Sequence, residues 1–199
     1  MATGFYSANY QAAVQPGTTA AVWGIGAIGL NTIFGCKYAG AKNIIGVDIN
    51  NDKKAIGEEF GVTEFINPTE LDKPLEQYLL EKYGGVDYAF DCIGHQAVIN
   101  TALKSLSSFG TMALVGLPPK DTVVNYPVEE LLMGRKIVGA FLGNKPSDQA
   151  YQTLTQMYLK GNYPLDKLIT NQFKLDQINE AFQTLKDGKC VRSLIVFDQ

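Results

Sequence analysis

Six consecutive residues carry the most specific chemistry in this sequence. Gly24-Ile25-Gly26-Ala27-Ile28-Gly29 has the spacing of a turn that leaves a strand, passes close to a pyrophosphate and opens a helix. Gly24 would allow the tight turn. Gly26, lacking a side chain, would let the backbone come close to the phosphates, and Gly29 would let the helix pack close to the sheet. The helix N-terminus would add free N–H groups and the positive end of its dipole. Asp48 follows Gly29 by 19 residues. A carboxylate there can accept hydrogen bonds from both ribose hydroxyls of an adenosine and would repel a 2′-phosphate, so the pattern favours NAD(H) over NADP(H). The competing reading of the same residues is a structural turn in another α/β fold, with Asp48 as a capping residue.

These residues need a strand before the glycines, a helix after them and a second strand ending at Asp48. The pattern supplies all three. Thr18–Trp23 is an apolar run ended by glycines, Ile28–Tyr38 has helical spacing, and Asn43–Ile49 is a second apolar run. Downstream, a helix closed by Gly61 leads to a short strand stopped by Pro68. A helix over Pro74–Lys82, a strand over Val86–Cys92, a helix from about Gln96 to Leu106 and a strand at "TMALVG" follow. Arg135–Leu142 reads as a sixth strand. Such alternation predicts a doubly wound α/β fold, a parallel sheet with helices on both faces in the Rossmann manner. In the tail, Ser147–Lys160 predicts a helix, "LITNQF" a strand, Leu175–Leu185 an amphipathic helix and "RSLIVF" a closing strand. No repeat or internal linker divides the chain, so one coenzyme-binding domain with a C-terminal extension is expected over residues 1–199.

Composition narrows the partners. The chain has 199 residues, 46% of them hydrophobic, and a net charge of −3, enough apolar residues for a substantial core and no basic excess for nucleic acid. No apolar run approaches a membrane span, and the start has no leader pattern. Cys36, Cys92 and Cys190 are widely spaced, with no CxxC pair, and the one histidine is His95. That usage suits thiols in a reducing, cytosolic setting better than disulfides or a zinc site. Cys36 and Cys92 lie in apolar contexts and are expected simply to pack.

Several segments together resemble the coenzyme-binding domain of medium-chain, zinc-dependent alcohol dehydrogenases of the animal type, a group that includes glutathione-dependent formaldehyde dehydrogenases. They are "TGFYSANYQAAVQPGTTAAVWGIGAIGL", "GCKYAGAKNIIGVDINNDK", "FGVTEFINP", "GGVDYAFDCIG", "LVGLPP", "GRKIVGAFLG" and "INEAFQTLKDGKCVRSLIVF", in order over nearly the whole chain. The resemblance implies that Gly24, Ile25, Gly26, Ala27, Ile28 and Gly29 form the pyrophosphate turn and that Asp48 holds the adenine ribose, with Lys53 beside it. It implies that Val115, Gly116 and Leu117, with Ala140, Phe141 and Leu142, lie at the nicotinamide end, that Thr3 touches its ring, and that Ile93 and His95 flank the adenosine. Arg192 would pair with the pyrophosphate through its forked donors. Lys53 and Arg192 also read as ordinary surface charges, and His95 as a solvent-exposed residue rather than an acid–base catalyst.

The family's catalytic zinc, its ligands and its proton relay belong to a second domain that this stretch is expected to lack. Alcohol oxidation of this type needs a Lewis acid to stabilise the alkoxide. The expectation is therefore an NAD(H)-binding domain, inactive alone, whose parent reaction is zinc-assisted hydride transfer between NAD and an alcohol. Another reading is a free-standing NAD(H)-binding or dimerising module with a regulatory or scaffolding role; a third is a zinc-independent reductase. Arg135–Leu142 at the sheet edge invites pairing, and the resemblance implies the same, so a two-fold homodimer is expected.

Overall fold

All five residues of β1 (Thr19–Trp23) are buried, as a central strand covered on both faces should be. It pairs in parallel with β2 (Asn43–Val47) on one side and with β4 (Val86–Asp91) on the other. β3 (Glu64–Ile66) extends the sheet beyond β2, while β5 (Leu106–Leu114) and β6 (Lys136–Gly139) extend it beyond β4. The order is β3-β2-β1-β4-β5-β6, parallel throughout. It is the doubly wound order whose strands reverse direction of succession between β1 and β4. A computed structural model describes residues 1–144 and 147–197, and they form two compact units, Met1–Ala150 and Tyr151–Gln199.

Parallel neighbours require crossovers, and helices make them. Helix α1 (Ala2–Tyr6) continues into a looser turn over Ser7–Gln11. Asn9 holds that segment against α2 (Ala27–Tyr38) by donating to the Phe5 and Gly35 carbonyls at 2.9 and 3.0 Å. Helix α3 (Lys53–Phe60) joins β2 to β3, α4 (Leu75–Tyr83) joins β3 to β4, and α5 (Gln96–Lys104) joins β4 to β5. Ala21 and Trp23 of β1 pack with Ile45, Val47 and Ile66 against Leu75 and Leu79 of α4 and Ile99 and Leu103 of α5. Ile25 and Val62 fill the other side, beside Gly46.

The structure departs from the sequence pattern at several ends. The helix expected to reach Leu106 stops at Lys104, and Leu106 starts a nine-residue β5. A register shift between Val86 and Tyr88 accommodates the extra residues as a bulge. β6 is shorter than Arg135–Leu142: after Gly139 the backbone enters a left-handed turn at Leu142, Gly143 and Asn144, with φ near +52°, +75° and +50°. Helix α6 (Val128–Leu132), too short for a periodic signal, follows Pro127.

The second unit begins with most of α7 (Ser147–Leu159), from Tyr151 onward. β7 (Ile169–Lys174) and β8 (Arg192–Val196) pair in parallel, connected by α8 (Ile178–Lys186).

Candidate functional site

Open parallel sheets bind ligands beyond the carboxyl ends of their strands, where the strand succession reverses. Here that point lies between Trp23 of β1 and Asp91 of β4, which are register partners. The turn leaving β1 is fixed by main-chain bonds. Gly24 has φ +89°, a left-handed conformation that favours glycine, and its N–H donates to the Val47 carbonyl at 2.8 Å. Gly26 is the N-cap of α2, and no side chain caps the helix there. The first turn of the helix carries no acidic residue of its own.

The three glycines of the motif differ in what constrains them. A methyl group at Gly29 would collide with the Gly24 carbonyl oxygen, so the helix requires glycine to close onto the turn. A methyl at Gly24 would lie 2.6 Å from Ile93 Cγ1. A methyl at Gly26 would meet no atom within 4 Å. The fold itself leaves the space beside that position free.

Asp48 follows β2 and faces the same turn. Its Oδ2 accepts from Ile25 N–H at 2.8 Å and its Oδ1 from Asn50 N–H at 3.0 Å. Each carboxylate oxygen has a second lone-pair direction, so hydroxyls could still be received on both. The capping and ligand-holding readings of Asp48 are therefore compatible: two main-chain donors orient the group. Lys53 opens α3, and its own N–H donates to the Asn50 carbonyl at 3.1 Å.

The opposite wall is organised by Asp91, which the sequence pattern did not single out. It is fully buried. Oδ1 accepts from Ile93 N–H and Gly94 N–H, both at 3.0 Å, and its main-chain carbonyl accepts from Val115 and Gly116 N–H at 3.0 and 2.7 Å. One residue thus ties the turns after β4 and β5 together. A carboxylate ending a strand immediately before Cys-Ile-Gly is the signal that could have revealed it. Ile93 is left half exposed, and Leu117 is 87% exposed. His95 is exposed and caps α5, its Nδ1 accepting from Ala97 N–H at 3.3 Å. The third wall is the turn after β6. Ala140 is buried, whereas Phe141 and Leu142 are exposed. Gly143 lies against α1, where a methyl group would sit 3.2 Å from the Thr3 carbonyl oxygen. The first unit therefore brings Gly24–Gly29 together with Asp48 and Ile93, the 93–94 turn with Gly116–Leu117, and Thr3 with the 140–144 turn. Arg192 belongs to the second unit.

Among the described residues, the other reactive groups do not form a catalytic set. Burial pushes the Cys92 thiol up to about 12, and Thr32 Oγ1 lies 3.6 Å from its sulfur. Burial holds Cys36 well above the ordinary thiol range. Neither is a thiolate at neutral pH, which removes the nucleophilic form. Glu64 accepts from Tyr78 and Lys82 at 2.6 Å each and also from Tyr83. Glu64 begins β3, at the end of the sheet away from the crevice. Among the described residues no group of three or more His, Cys, Asp or Glu side chains could hold a metal ion. The described residues therefore do not fit a zinc site, and no chemistry is routed through one here. Among the same residues no helix is long and apolar enough to cross a membrane.

Comparison with known proteins agrees with this geometry. Geraniol dehydrogenase of Carpoglyphus lactis is 55% identical over 195 residues, which is 98% of this chain and 52% of that protein. An alcohol dehydrogenase zinc-binding domain protein from Burkholderia ambifaria superposes with a TM-score of 0.92 at 32% identity, covering 100% of this chain and 53% of that one. Benzyl alcohol dehydrogenase from Acinetobacter calcoaceticus gives a TM-score of 0.92 at 27% identity, over 99% and 54%. The chain spans about half the length of each of these relatives. Residues 27–160, from the first turn of α2 to just past α7, match the zinc-binding dehydrogenase family. With its six-stranded parallel sheet and the glycine turn at the strand reversal, the chain belongs to the zinc-binding dehydrogenases, as a Rossmann-type domain of the medium-chain alcohol dehydrogenase kind.

Proposed function

We propose that this chain is the NAD(H)-binding domain of an alcohol dehydrogenase-like oxidoreductase, inactive as a dehydrogenase by itself. The observation that carries the reading is Gly26, whose unused space opens at the uncapped start of α2 beside an oriented Asp48 carboxylate. In this reading the pyrophosphate lies over Gly24–Gly29 against the N-terminus of α2. Asp48 receives the adenosine ribose, with Lys53 beside it, and Ile93 and His95 flank the base. Val115, Gly116, Leu117, Ala140, Phe141 and Leu142 line the nicotinamide end, and Thr3 touches the ring. Bound there, the nicotinamide supplies a hydride acceptor or donor. The residues of this chain bind and orient it and screen one face from water.

The parent reaction would be hydride transfer between NAD and an alcohol, assisted by zinc held outside these residues. Similarity to a geraniol dehydrogenase and a benzyl alcohol dehydrogenase supports a primary allylic or benzylic alcohol as substrate. The resemblance to the animal type keeps a glutathione adduct of formaldehyde as the other candidate. Exposed β6 at the sheet edge supports a two-fold dimer built by pairing β6 with a second copy. Buried and half-buried thiols suit a cytosolic location.

Isothermal titration of the full chain with NAD⁺, NADH and NADPH tests the reading, with Asp48→Ala as control. NADH is expected to bind at least about tenfold more tightly than NADPH, one charged contact and one repulsion being worth at least ~1.4 kcal/mol, and Asp48→Ala to narrow the gap. Equal binding of both, unchanged by the substitution, would remove Asp48 from the site.

A further inference from the structure

The turn after β3 carries a polar network that grips the Asp48 loop from outside. Asn67 is buried there. Its side-chain amide donates to the Ile49 carbonyl at 3.1 Å, to Asn51 Oδ1 at 3.0 Å and, more distantly, to Glu70 Oε1 at 3.4 Å. Its Oδ1 accepts from the N–H and hydroxyl of Thr69 at 3.0 and 2.8 Å. Asn51 Nδ2 in turn donates to Glu70 Oε1 at 2.5 Å. From this loop the bonds run inward, from Asn50 N–H to Asp48 Oδ1 and from Ile25 N–H to Asp48 Oδ2. A continuous polar chain therefore links Glu70 to the glycine turn.

Two features make this more than loop trim. Ile49 is 72% exposed, so apolar burial gives the loop little anchorage at that residue, and Asn67 holds its carbonyl instead. Glu70 also places a second carboxylate against the loop that follows Asp48, its Oε1 2.5 Å from Asn51 Nδ2. Burying Asn67 is favourable only because both ends of its amide are bonded.

We propose that Asn67 and Glu70 are specificity determinants of the nucleotide site. Asn67 is a positioning residue that sets where the Asp48 carboxylate stands. Glu70 supplies negative charge that disfavours a 2′-phosphate even after Asp48 is removed. The inference rests on the nucleotide reading above and extends the discrimination beyond the fingerprint carboxylate.

The test is titration of NADH and NADPH into the full chain as wild type, Asp48→Ala, Glu70→Gln, Asn67→Ala and the Asp48→Ala/Glu70→Gln pair, at low and high salt, with thermal melts alongside. Adding Glu70→Gln to Asp48→Ala is expected to raise NADPH affinity relative to NADH by about three- to tenfold at low ionic strength, the gain shrinking at ~0.5 M salt, as a charge effect across partly solvated groups must. Asn67→Ala is expected to lower the NADH:NADPH affinity ratio while also lowering the melting temperature. The ratio is the readout that a merely structural role would not move, and Glu70→Gln gives it in a chain that keeps its buried amide. If the wild type binds neither nucleotide, the nucleotide reading fails and this inference with it. Binding of NADH by the wild type, with the ratio unchanged by Glu70→Gln in both backgrounds, would overturn this inference alone.

Discussion

Gly29 and Asp91 do comparable structural work by different means. At Gly29 any side chain would enter the Gly24 carbonyl oxygen, so Gly29→Ala must displace α2 or the turn. Its expected cost is about 2–4 kcal/mol, the range for a steric clash in a tightly packed region. Asp91→Ala leaves the Ile93 and Gly94 N–H groups without their acceptor in a buried setting. That change should cost ~2–4 kcal/mol, and denaturant unfolding of both variants would check the two figures. A loss below about 0.5 kcal/mol at either position would show the surroundings to be looser than these contacts require. The two residues differ in legibility. Glycines at fixed spacing announce a turn because few other residues can take the conformation. Asp91 looks like any strand-end acid, since its partners are main-chain groups that carry no sequence signature. Asp48 lies between these cases: its spacing from the glycines is readable, but its bond to Ile25 N–H is not.

At the level of elements, the alternation of apolar runs and helical spacing makes the sheet legible through β6. Where the period is short or broken the pattern is silent. Five-residue α6 offers barely more than one turn, and the left-handed turn at Leu142–Asn144 depends on contact with α1, far away in sequence. The β3–α4 contact shows what periodicity cannot encode. Burial alone would raise the Glu64 pKa, but hydrogen bonds from Lys82, Tyr78 and Tyr83 outweigh it and hold the carboxyl below the usual range. Because the folded-state pKa is depressed, the contribution is present above the unfolded value near 4.3 and is lost as pH falls through the folded value. Glu64→Gln should therefore lower stability by about 1–2 kcal/mol at pH 7, the order for a partly exposed charge-assisted set, and the deficit should shrink below about pH 4. Melting curves of both chains from pH 7 to pH 3 would show it; a deficit independent of pH would assign the effect to packing instead. On the same contact, burial and the Glu64 carboxylate push Tyr83 up to about 12, so its hydroxyl remains a donor throughout that range.

For the whole molecule, the edge strand is the feature with the widest consequence. Lys136, Ile137 and Gly139 are exposed along β6, and Val128, Leu132 and Met133 are exposed on α6 and directly after it. If two copies pair through β6, Ile137→Pro should remove a ladder donor and shift sedimentation from dimer to monomer at micromolar concentration, with far-UV dichroism little changed. A wild type that sediments as a monomer would leave that edge unpaired in solution. The alternation of strands and helices does not reveal the division at Ala150–Tyr151, which falls inside α7 and has no linker composition to mark it. The direct test of the nucleotide site is one titration of NADH into the wild-type and Gly26→Ala chains, with their melting temperatures measured side by side. The expected result is an unchanged melting temperature, because the added methyl meets no protein atom within 4 Å, together with a loss of NADH affinity of about tenfold or more, the ~1.4 kcal/mol or more expected when a group enters the ligand's space. Equal NADH affinity in the two chains would contradict the account, because the open space at Gly26 would then hold no ligand.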